Sequence, residues 1–135
     1  MMKAEDLDVV ARTVYGEARG EARDGKTAVA WVIKNRVDSP KWWGHDWRSV
    51  CRKPWQFSCW NDNDPNRAKV EAVTTEDDAF RDCLQASALV MSGEVTDPTK
   101  GATHYYAKAM KALPTWASHA VKTAEIGGHV FMKEI

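Results

Sequence analysis

The sequence predicts an α+β fold that is mostly helical, with one small antiparallel β-hairpin or sheet. Three segments repeat apolar residues at helical spacing, and two short stretches rich in β-branched and aromatic residues follow them. The 135 residues fit one compact domain, and a chain of this size buries roughly two thirds of its unfolded surface. We therefore expect residues 1–135 to form a single domain.

Two helices are predicted at the start of the chain. The first spans residues 4–17, with apolar side chains at positions 7, 10, 11 and 14, and Gly16 and Gly20 place its end. The second runs from Arg23 to Val37; it has Asp24 in its first turn, where the helix dipole favours negative charge, and it ends before Pro40.

A third helix is predicted over residues 76–91. Its apolar positions repeat at helical spacing, and Gly93 ends it. Thr75 with Asp78 resembles a capping box, in which two side chains satisfy the first backbone N–H groups of a helix.

The rest of the chain reads as loops and two short strands. Residues 40–66 are expected to be irregular and contain five of the seven tryptophans. Thr103–Ala107 and Gly128–Met132 are predicted strands, with short helical turns over 109–116 and 116–121 between them. On the first strand, His104 and Tyr106 should face one way and Tyr105 the other.

Composition excludes several classes of protein. Lysine plus arginine equals aspartate plus glutamate at 19 each, which argues against nucleic-acid binding and against a charged attraction to membranes. No run approaches the roughly 18 apolar residues of a membrane span. The N-terminus lacks the apolar stretch of a signal peptide, so we expect synthesis in the cytoplasm.

The cysteines and the turn at residues 61–66 give no sign of a metal site, and no cofactor is predicted. Cys51, Cys59 and Cys83 are expected to be buried, reduced thiols, although the first two are close enough to pair in an oxidising compartment. Residues 61–66 lack the glycine and glutamate of a calcium loop.

Glu17 is the residue that the helical pattern does not explain. It lies seven residues after Val10 and three after Val14, on the core-facing stripe of the first helix. Burial and the nearby helix C-terminus both disfavour a charged carboxylate, and a carboxyl that keeps its proton suits a general acid. Fraying of the helix at Gly16 would leave Glu17 in water instead. Glu21 is read as a cap of the second helix, balanced by Arg19.

The tryptophans between residues 42 and 60 suit sugar binding, because flat apolar rings stack on pyranoses. The alternative for each is core packing. The motifs of serine hydrolases and of zinc proteases are absent from the sequence.

In order along the chain, five blocks resemble the SleB-type cell wall hydrolases, the catalytic domain of spore cortex-lytic enzymes. The blocks are Ala11–Glu21, Gly25–Val37, Pro54–Asn61, Gly101–Tyr106 and Ile126–Phe131. The resemblance implies a single catalytic domain with a lysozyme-like fold related to lytic transglycosylases, and Glu17 as the catalyst. It also implies a glycan groove. The residues expected to bind substrate are Gln56, Phe57, Ser58, Trp60, His104, Tyr105 and Tyr106.

The same resemblance implies cleavage of the β-1,4 bond between N-acetylmuramic acid and N-acetylglucosamine in peptidoglycan. A lone acid favours a lytic transglycosylase, which leaves 1,6-anhydro ends, and Gln56, Ser58 and Tyr106 are candidates for hydrogen-bonding the sugar. The alternatives are a hydrolytic muramidase with Asp62, Asp64 or Glu71 as second carboxylate, a non-catalytic glycan-binding module, and a peptide amidase.

Without an export signal, the sequence suits a phage-type endolysin. Such a protein acts as a monomer on the cell wall, in the periplasm, after a holin-type partner has opened the membrane. No stable association with the membrane is expected.

Overall fold

Five α-helices and a three-stranded antiparallel sheet form the part of the chain that the computed structural model describes, residues 2–135; Met1, the first residue of the predicted domain, lies outside it. The helices are α1 (Ala4–Ala18), α2 (Arg23–Asp38), α3 (Trp47–Arg52), α4 (Asn66–Ala72) and α5 (Asp78–Met91). The strands are β1 (His104–Ala107), β2 (Ala120–Ile126) and β3 (His129–Glu134). Two short 3₁₀ helices cover Ser58–Trp60 and Thr115–His119.

The three long helices are confirmed, and they pack against one another around a core of aliphatic side chains. Val10 and Val14 of α1 and Ile33 of α2 are fully buried there. The cap of α5 differs from the prediction: the Asp77 side chain accepts a 3.0 Å hydrogen bond from the Phe80 N–H, so Thr75 is not the capping residue. Apolar periodicity thus located the helices but not the start of α5.

The segment 40–66 is less irregular than expected, because α3 forms within it. Asp46 and Ser49 make a capping box: the Ser49 N–H donates to Asp46 Oδ1 at 2.7 Å, and the Asp46 N–H donates to Ser49 Oγ at 3.1 Å. Trp43 is fully buried and donates through Nε1 to the Arg36 carbonyl at 2.9 Å. This segment therefore packs onto the helices, and α4 follows it.

The sheet has the order β1-β3-β2, and β3 pairs with both neighbours. Strands β1 and β3 are confirmed. The helical turn predicted over 116–121 is present as the 3₁₀ helix Thr115–His119, but it is shorter than predicted, because β2 begins at Ala120. The turn predicted over 109–116 is not formed across residues 109–114, which contain no helix. A tight turn at Gly127, with φ of 56°, joins β2 to β3.

A second, smaller core joins the sheet to the helices. Phe131 of β3 is fully buried against Ala28 and Val32 of α2, with Ala102 beside them. This contact brings β1 next to the C-terminal end of α1. The sheet and the Glu17 end of α1 consequently border the same cleft.

Candidate active site

The last turn of α1 carries Glu17 to the edge of the helical core. The helix continues through Gly16 to Ala18, so its backbone is regular at Glu17 and does not fray. Val10 and Val14, on the same face, are fully buried, and Glu17 itself is half-buried. Its predicted place on the core-facing stripe therefore agrees with the structure.

Gly16 lets the tryptophan-rich loop approach Glu17. A Cβ atom at position 16 would lie 2.5 Å from Cys59 Cβ and 2.8 Å from Val70 Cγ2, both far inside van der Waals contact. Because glycine leaves this space free, the 3₁₀ helix at Ser58–Trp60 packs directly against the end of α1. Cys59 is thereby held beside the carboxylate.

Glu17 has one protein partner on each carboxylate oxygen. The Tyr105 hydroxyl donates to Oε1 at 2.6 Å, and the Cys59 backbone N–H donates to Oε2 at 3.3 Å. Tyr105 comes from β1 and Cys59 from the loop after α3, so three separate parts of the chain meet at this carboxyl. The weaker bond leaves Oε2 as the oxygen that is freer to exchange a proton.

Tyr105 is a donor that keeps its proton. Burial, together with the negative charge of Glu17, raises the pKa of its hydroxyl well above the ordinary value of 10.0. Burial also raises the pKa of the neighbouring Cys59 thiol. Both groups are therefore neutral at physiological pH and present hydrogen bonds, not charge, to Glu17.

A cavity of about 190 Å³ opens in front of Glu17. Its walls come from α1, α2, the loop after α3, β1 and the second 3₁₀ helix. They are formed by Glu17, Arg36, Trp55, Gln56, Phe57, His104, Tyr105 and Trp116. Glu17 is the one carboxylate among these lining residues. Aromatic faces around a single acid are suited to holding a sugar ring at that acid.

Arg36 is a buried cation in this wall. Its side chain donates through Nε to the Thr103 carbonyl at 2.7 Å and contacts Gln56 Oε1 at 3.4 Å. The ring centroids of Trp43 and Phe57 each lie 5.4 Å from its guanidinium carbon. Burial lowers the pKa of Arg36 to about 10, so it stays charged at neutral pH. Arg36 thereby fixes the side chain of Gln56 at the cavity.

His104 lies near Arg36 in the wall of the cavity and is uncharged. It is 5% exposed, its ring stacks on Trp116 at 4.8 Å, and its Nδ1 lies 3.0 Å from the Thr103 hydroxyl. Burial, helped by the charge of Arg36, lowers the pKa of His104 to about 4. A neutral imidazole here can exchange hydrogen bonds with a substrate without adding positive charge.

The profile of the Cell Wall Hydrolase family matches residues 20–132. The chain belongs to this family. The match begins just after Glu17, so the role of that residue is argued from the geometry of the cavity.

Spore cortex-lytic enzymes are among the relatives of this cell wall hydrolase. The one from Halalkalibacterium halodurans is 33% identical over 126 residues, which cover 93% of this chain and 34% of the relative. The one from Bacillus subtilis is 30% identical over 131 residues, covering 93% and 37%. The chain thus spans about a third of the length of these relatives.

Solved structures confirm the lysozyme-like, mostly helical fold. The catalytic domain of the germination-specific lytic transglycosylase SleB from Bacillus anthracis superposes with a TM-score of 0.76 at 29% identity, over 98% of this chain and 97% of that one. The catalytic domain of SleB from Bacillus cereus gives 0.75 at 28%, over 98% and 93%. The predicted resemblance is therefore confirmed across nearly the whole chain.

The structure brings together five of the residues predicted to act in this cell wall hydrolase, and it separates three others. Glu17, Gln56, Phe57, His104 and Tyr105 line the cavity. Ser58 is exposed outside it, and Tyr106 packs beside Trp116 at 6.1 Å. Trp60 is 9% exposed and donates through Nε1 to the Thr13 hydroxyl at 2.9 Å, as a core residue does.

The carboxylates considered as a second catalytic group lie elsewhere. Asp62 and Glu71 both pair with Arg67. Asp64 accepts a 2.7 Å hydrogen bond from the Asn66 N–H at the start of α4. None of the three lines the cavity at Glu17. Residues 2–135 hold no group of three or more histidine, cysteine, aspartate or glutamate side chains arranged for a metal ion.

Glu21 does not cap α2 as predicted. Its Oε1 accepts a 3.0 Å hydrogen bond from the Gly128 N–H, and His129 Nδ1 lies 3.9 Å away. Arg19 does not balance it either, because the Arg19 guanidinium bonds Asn66 and stacks on Tyr15. Glu21 therefore ties the β2–β3 turn to the corner between α1 and α2.

Three lining residues were absent from the predicted site: Arg36, Trp55 and Trp116. Arg36 carried a usable signal, because it lies seven residues after Val29 and three after Ile33 on the apolar stripe of α2. A cation in that position is as unexpected as the carboxylate of Glu17.

The cysteines agree with the prediction of burial, and all three are free thiols. No helix within residues 2–135 is long and apolar enough to cross a membrane.

Proposed function

We propose that this domain is a peptidoglycan lytic transglycosylase that cleaves the β-1,4 bond between N-acetylmuramic acid and N-acetylglucosamine. The observation that carries the proposal is the lone carboxylate, Glu17, in an aromatic-lined cavity with no second acid. Both glycosidase mechanisms that use water place two carboxyl groups about the bond that breaks. The similarity to a structure described as a lytic transglycosylase catalytic domain supports the same choice.

In the first step, protonated Glu17 gives its proton to the glycosidic oxygen. The bond between C1 of the muramic acid and that oxygen breaks, the leaving sugar keeps the bonding electrons, and C1 gains oxocarbenium character. Oε2 is the donor oxygen, since Oε1 already accepts the shorter hydrogen bond from Tyr105. The carboxylate that forms is stabilised by two hydrogen bonds, one from the Tyr105 hydroxyl and one from the Cys59 N–H.

In the second step, the same carboxylate acts as the base. It removes the proton from the muramic 6-hydroxyl as O6 attacks C1, which closes the 1,6-anhydro ring. The first proton stays on the departing sugar, the proton from O6 restores the acid form of Glu17, and no water is consumed. Gln56, oriented by Arg36, is placed to hydrogen-bond the N-acetyl group of the bound sugar.

Product analysis tests this proposal. Purified sacculi digested with the protein should yield muropeptides that carry anhydro ends by mass spectrometry, and Glu17→Gln should reduce their formation by at least about 1,000-fold. Reducing ends in place of anhydro ends would show a hydrolytic muramidase. Cell lysis that survives Glu17→Gln would instead favour a glycan-binding module.

Peptidoglycan strands are the proposed binding partner of this domain. Its role as an endolysin, a monomer that a holin-type protein releases to the cell wall, stays a prediction. Synthesis of the chain in a bacterial cytoplasm should lyse the culture only when a hole-forming membrane protein is made with it. Lysis without that second protein would contradict this route to the cell wall.

A further inference from the structure

A second, larger cavity of about 610 Å³ lies beside the one that holds Glu17. Trp55 lines both cavities, and 75% of its surface is exposed. Its φ of 68° lies in the left-handed region, which a bulky residue occupies only when the surrounding structure imposes it. The two cavities therefore share one wall, formed by Trp55.

Cations dominate the lining of this second cavity. Arg52, Lys53 and Arg67 face a single carboxylate, Asp62, which already pairs with Arg67. Arg52 and Lys53 have no carboxylate partner within ion-pair distance among residues 2–135. The chain as a whole is neutral, so this is a local excess of positive charge.

Arg52 is held ready for an anion. Its guanidinium carbon lies 4.2 Å from the ring centroid of Trp60, and Trp60 is fixed in the core by its hydrogen bond to Thr13. A guanidinium stacked on an indole uses its flat face for that contact. The N–H groups along its edge remain free to bind a carboxylate through two hydrogen bonds.

We propose that this second cavity binds the free carboxylates of the peptide stem attached to the sugar at Glu17. The inference rests on the proposed function, since it requires a peptidoglycan strand in the neighbouring cavity. The sugar chain itself is uncharged once its lactyl group is joined to the peptide, so unpaired cations have no partner on it. The acidic residues of the stem supply that partner, and Asn61 and Asn63 offer amides to its backbone.

The two cavities adjoin one another, as the binding of such a stem requires. An extended peptide advances about 3.5 Å per residue, so the second and third stem residues lie roughly 7 to 10 Å from the sugar. Trp55 lines both cavities, so they adjoin one another at this residue. A stem attached to the sugar at Glu17 has the length to extend past Trp55 into the cavity that Arg52 and Lys53 line.

Steady-state kinetics on two substrates tests the proposal. Glycan strands with intact stems are compared with strands whose stems have been removed by an amidase and whose freed lactyl carboxyl groups have then been amidated, so that the stripped glycan is uncharged. The measured quantity is the KM on stripped strands divided by the KM on intact strands. For the wild type we expect this ratio to be roughly 10. In Arg52→Gln/Lys53→Gln it should fall to about 1. Lys53→Gln alone, at an exposed position, should lower the ratio even if loss of the Arg52 stack disturbs folding.

Lys69→Gln is the matched control, because Lys69 is an exposed cation that lines neither cavity; it should keep the wild-type ratio. Amidation of the stem carboxylates should raise the wild-type KM to the value for stripped strands. A wild-type ratio of 1, or a double variant that keeps the wild-type ratio, would overturn the proposal.

Binding of both strands to Glu17→Gln, followed by tryptophan fluorescence, measures the same preference without turnover. Failure of the proposed transglycosylase chemistry would show in the cleavage products, whereas failure of the stem site would show in this binding ratio.

Discussion

At the scale of single residues, the proposed chemistry depends on how Glu17 is held between its two protonation states. The carboxyl must lose a proton in the first step and regain one in the second. A short hydrogen bond from Tyr105 to Oε1 stabilises the ionised intermediate state and leaves Oε2 toward the substrate. Tyr105 can do this because burial keeps its hydroxyl protonated.

Removal of that hydroxyl should slow the reaction without weakening substrate binding. For Tyr105→Phe we expect kcat to fall about 10- to 100-fold, the loss of one hydrogen bond to a charged group, with KM changed less than about 3-fold. Initial rates of anhydro-muropeptide release measure both constants. Tyr15→Phe is the control, because its buried hydroxyl makes only a 3.5 Å contact with Asp77, away from the cavity. An equal loss of kcat in both variants would refute the role of Tyr105.

The apolar pattern located Glu17 but not its hydrogen-bond partners, whereas the family resemblance placed Gln56, Phe57, His104 and Tyr105 at the site. The carboxylate stood out because it interrupts an apolar stripe, and Arg36 interrupts the stripe of α2 in the same way. Tyr105 and Cys59 meet Glu17 from positions 88 and 42 residues away. Such contacts depend on how loops pack, and no local pattern encodes them.

At the scale of elements, the site depends on the close packing of the 3₁₀ helix at Ser58–Trp60 against α1. Gly16 makes this packing possible, since any side chain there would overlap Cys59 and Val70. The same contact positions the Cys59 N–H that faces Oε2 of Glu17. A small residue next to Glu17, the proposed catalytic acid, is therefore required by the neighbouring loop.

Gly16→Ala should destabilise the protein although alanine is the better helix former. Propensity alone would favour alanine by about 1 kcal/mol. Forcing the Cβ into this contact typically costs about 1 to 3 kcal/mol. Because the overlap with Cys59 and Val70 is severe, we expect the cost to exceed the gain. Urea denaturation should show a lower free energy of unfolding, together with reduced activity. Gly20→Ala is the control, because no atom lies within 4 Å of its Cβ position. Stabilisation by both substitutions would show that the contact is loose.

Helices with a long apolar repeat were predicted correctly, and the short helices α3 and α4 were not. Helices α1, α2 and α5 each have at least 14 residues, enough to show their periodicity. Helices α3 and α4 have six and seven, and Ser49 stands in the capping box where Glu or Gln is usual. Strand β2 lies at the edge of the sheet and alternates poorly between buried and exposed residues, so its sequence resembled a turn.

At the scale of the whole molecule, α2 links the two cores and the cleft between them. Val32 packs under the sheet while Ile33 packs among the helices. Arg36, one turn later, reaches the cavity and bonds the Thr103 carbonyl just before β1. Burial of an arginine and of His104 beside it is compatible with stability only while the histidine stays neutral.

Acid should therefore weaken the fold through His104. Its pKa is about 4 in the folded state, against an ordinary value of 6.5. Between these values the unfolded chain binds more protons, so stability is full above pH 6.5 and is lost as the pH falls toward 4. The charges that face the imidazole are those of Arg36, Glu134 and Lys41, and the two cations oppose its protonation.

Denaturation by urea at pH 7 and at pH 4.5 measures this effect. The wild type should lose about 2 kcal/mol more than His104→Gln between the two conditions, since the variant has no imidazole to protonate. Carboxylates also titrate in this range. Their contribution to the unfolding free energy is the same in both proteins, so it cancels in the comparison. His45→Gln is the control, because the His45 side chain is 79% exposed, and it should follow the wild type. If His104→Gln showed the wild-type loss on acidification, the imidazole would have to be accessible to protons in the folded protein, and the aromatic wall around it would be open.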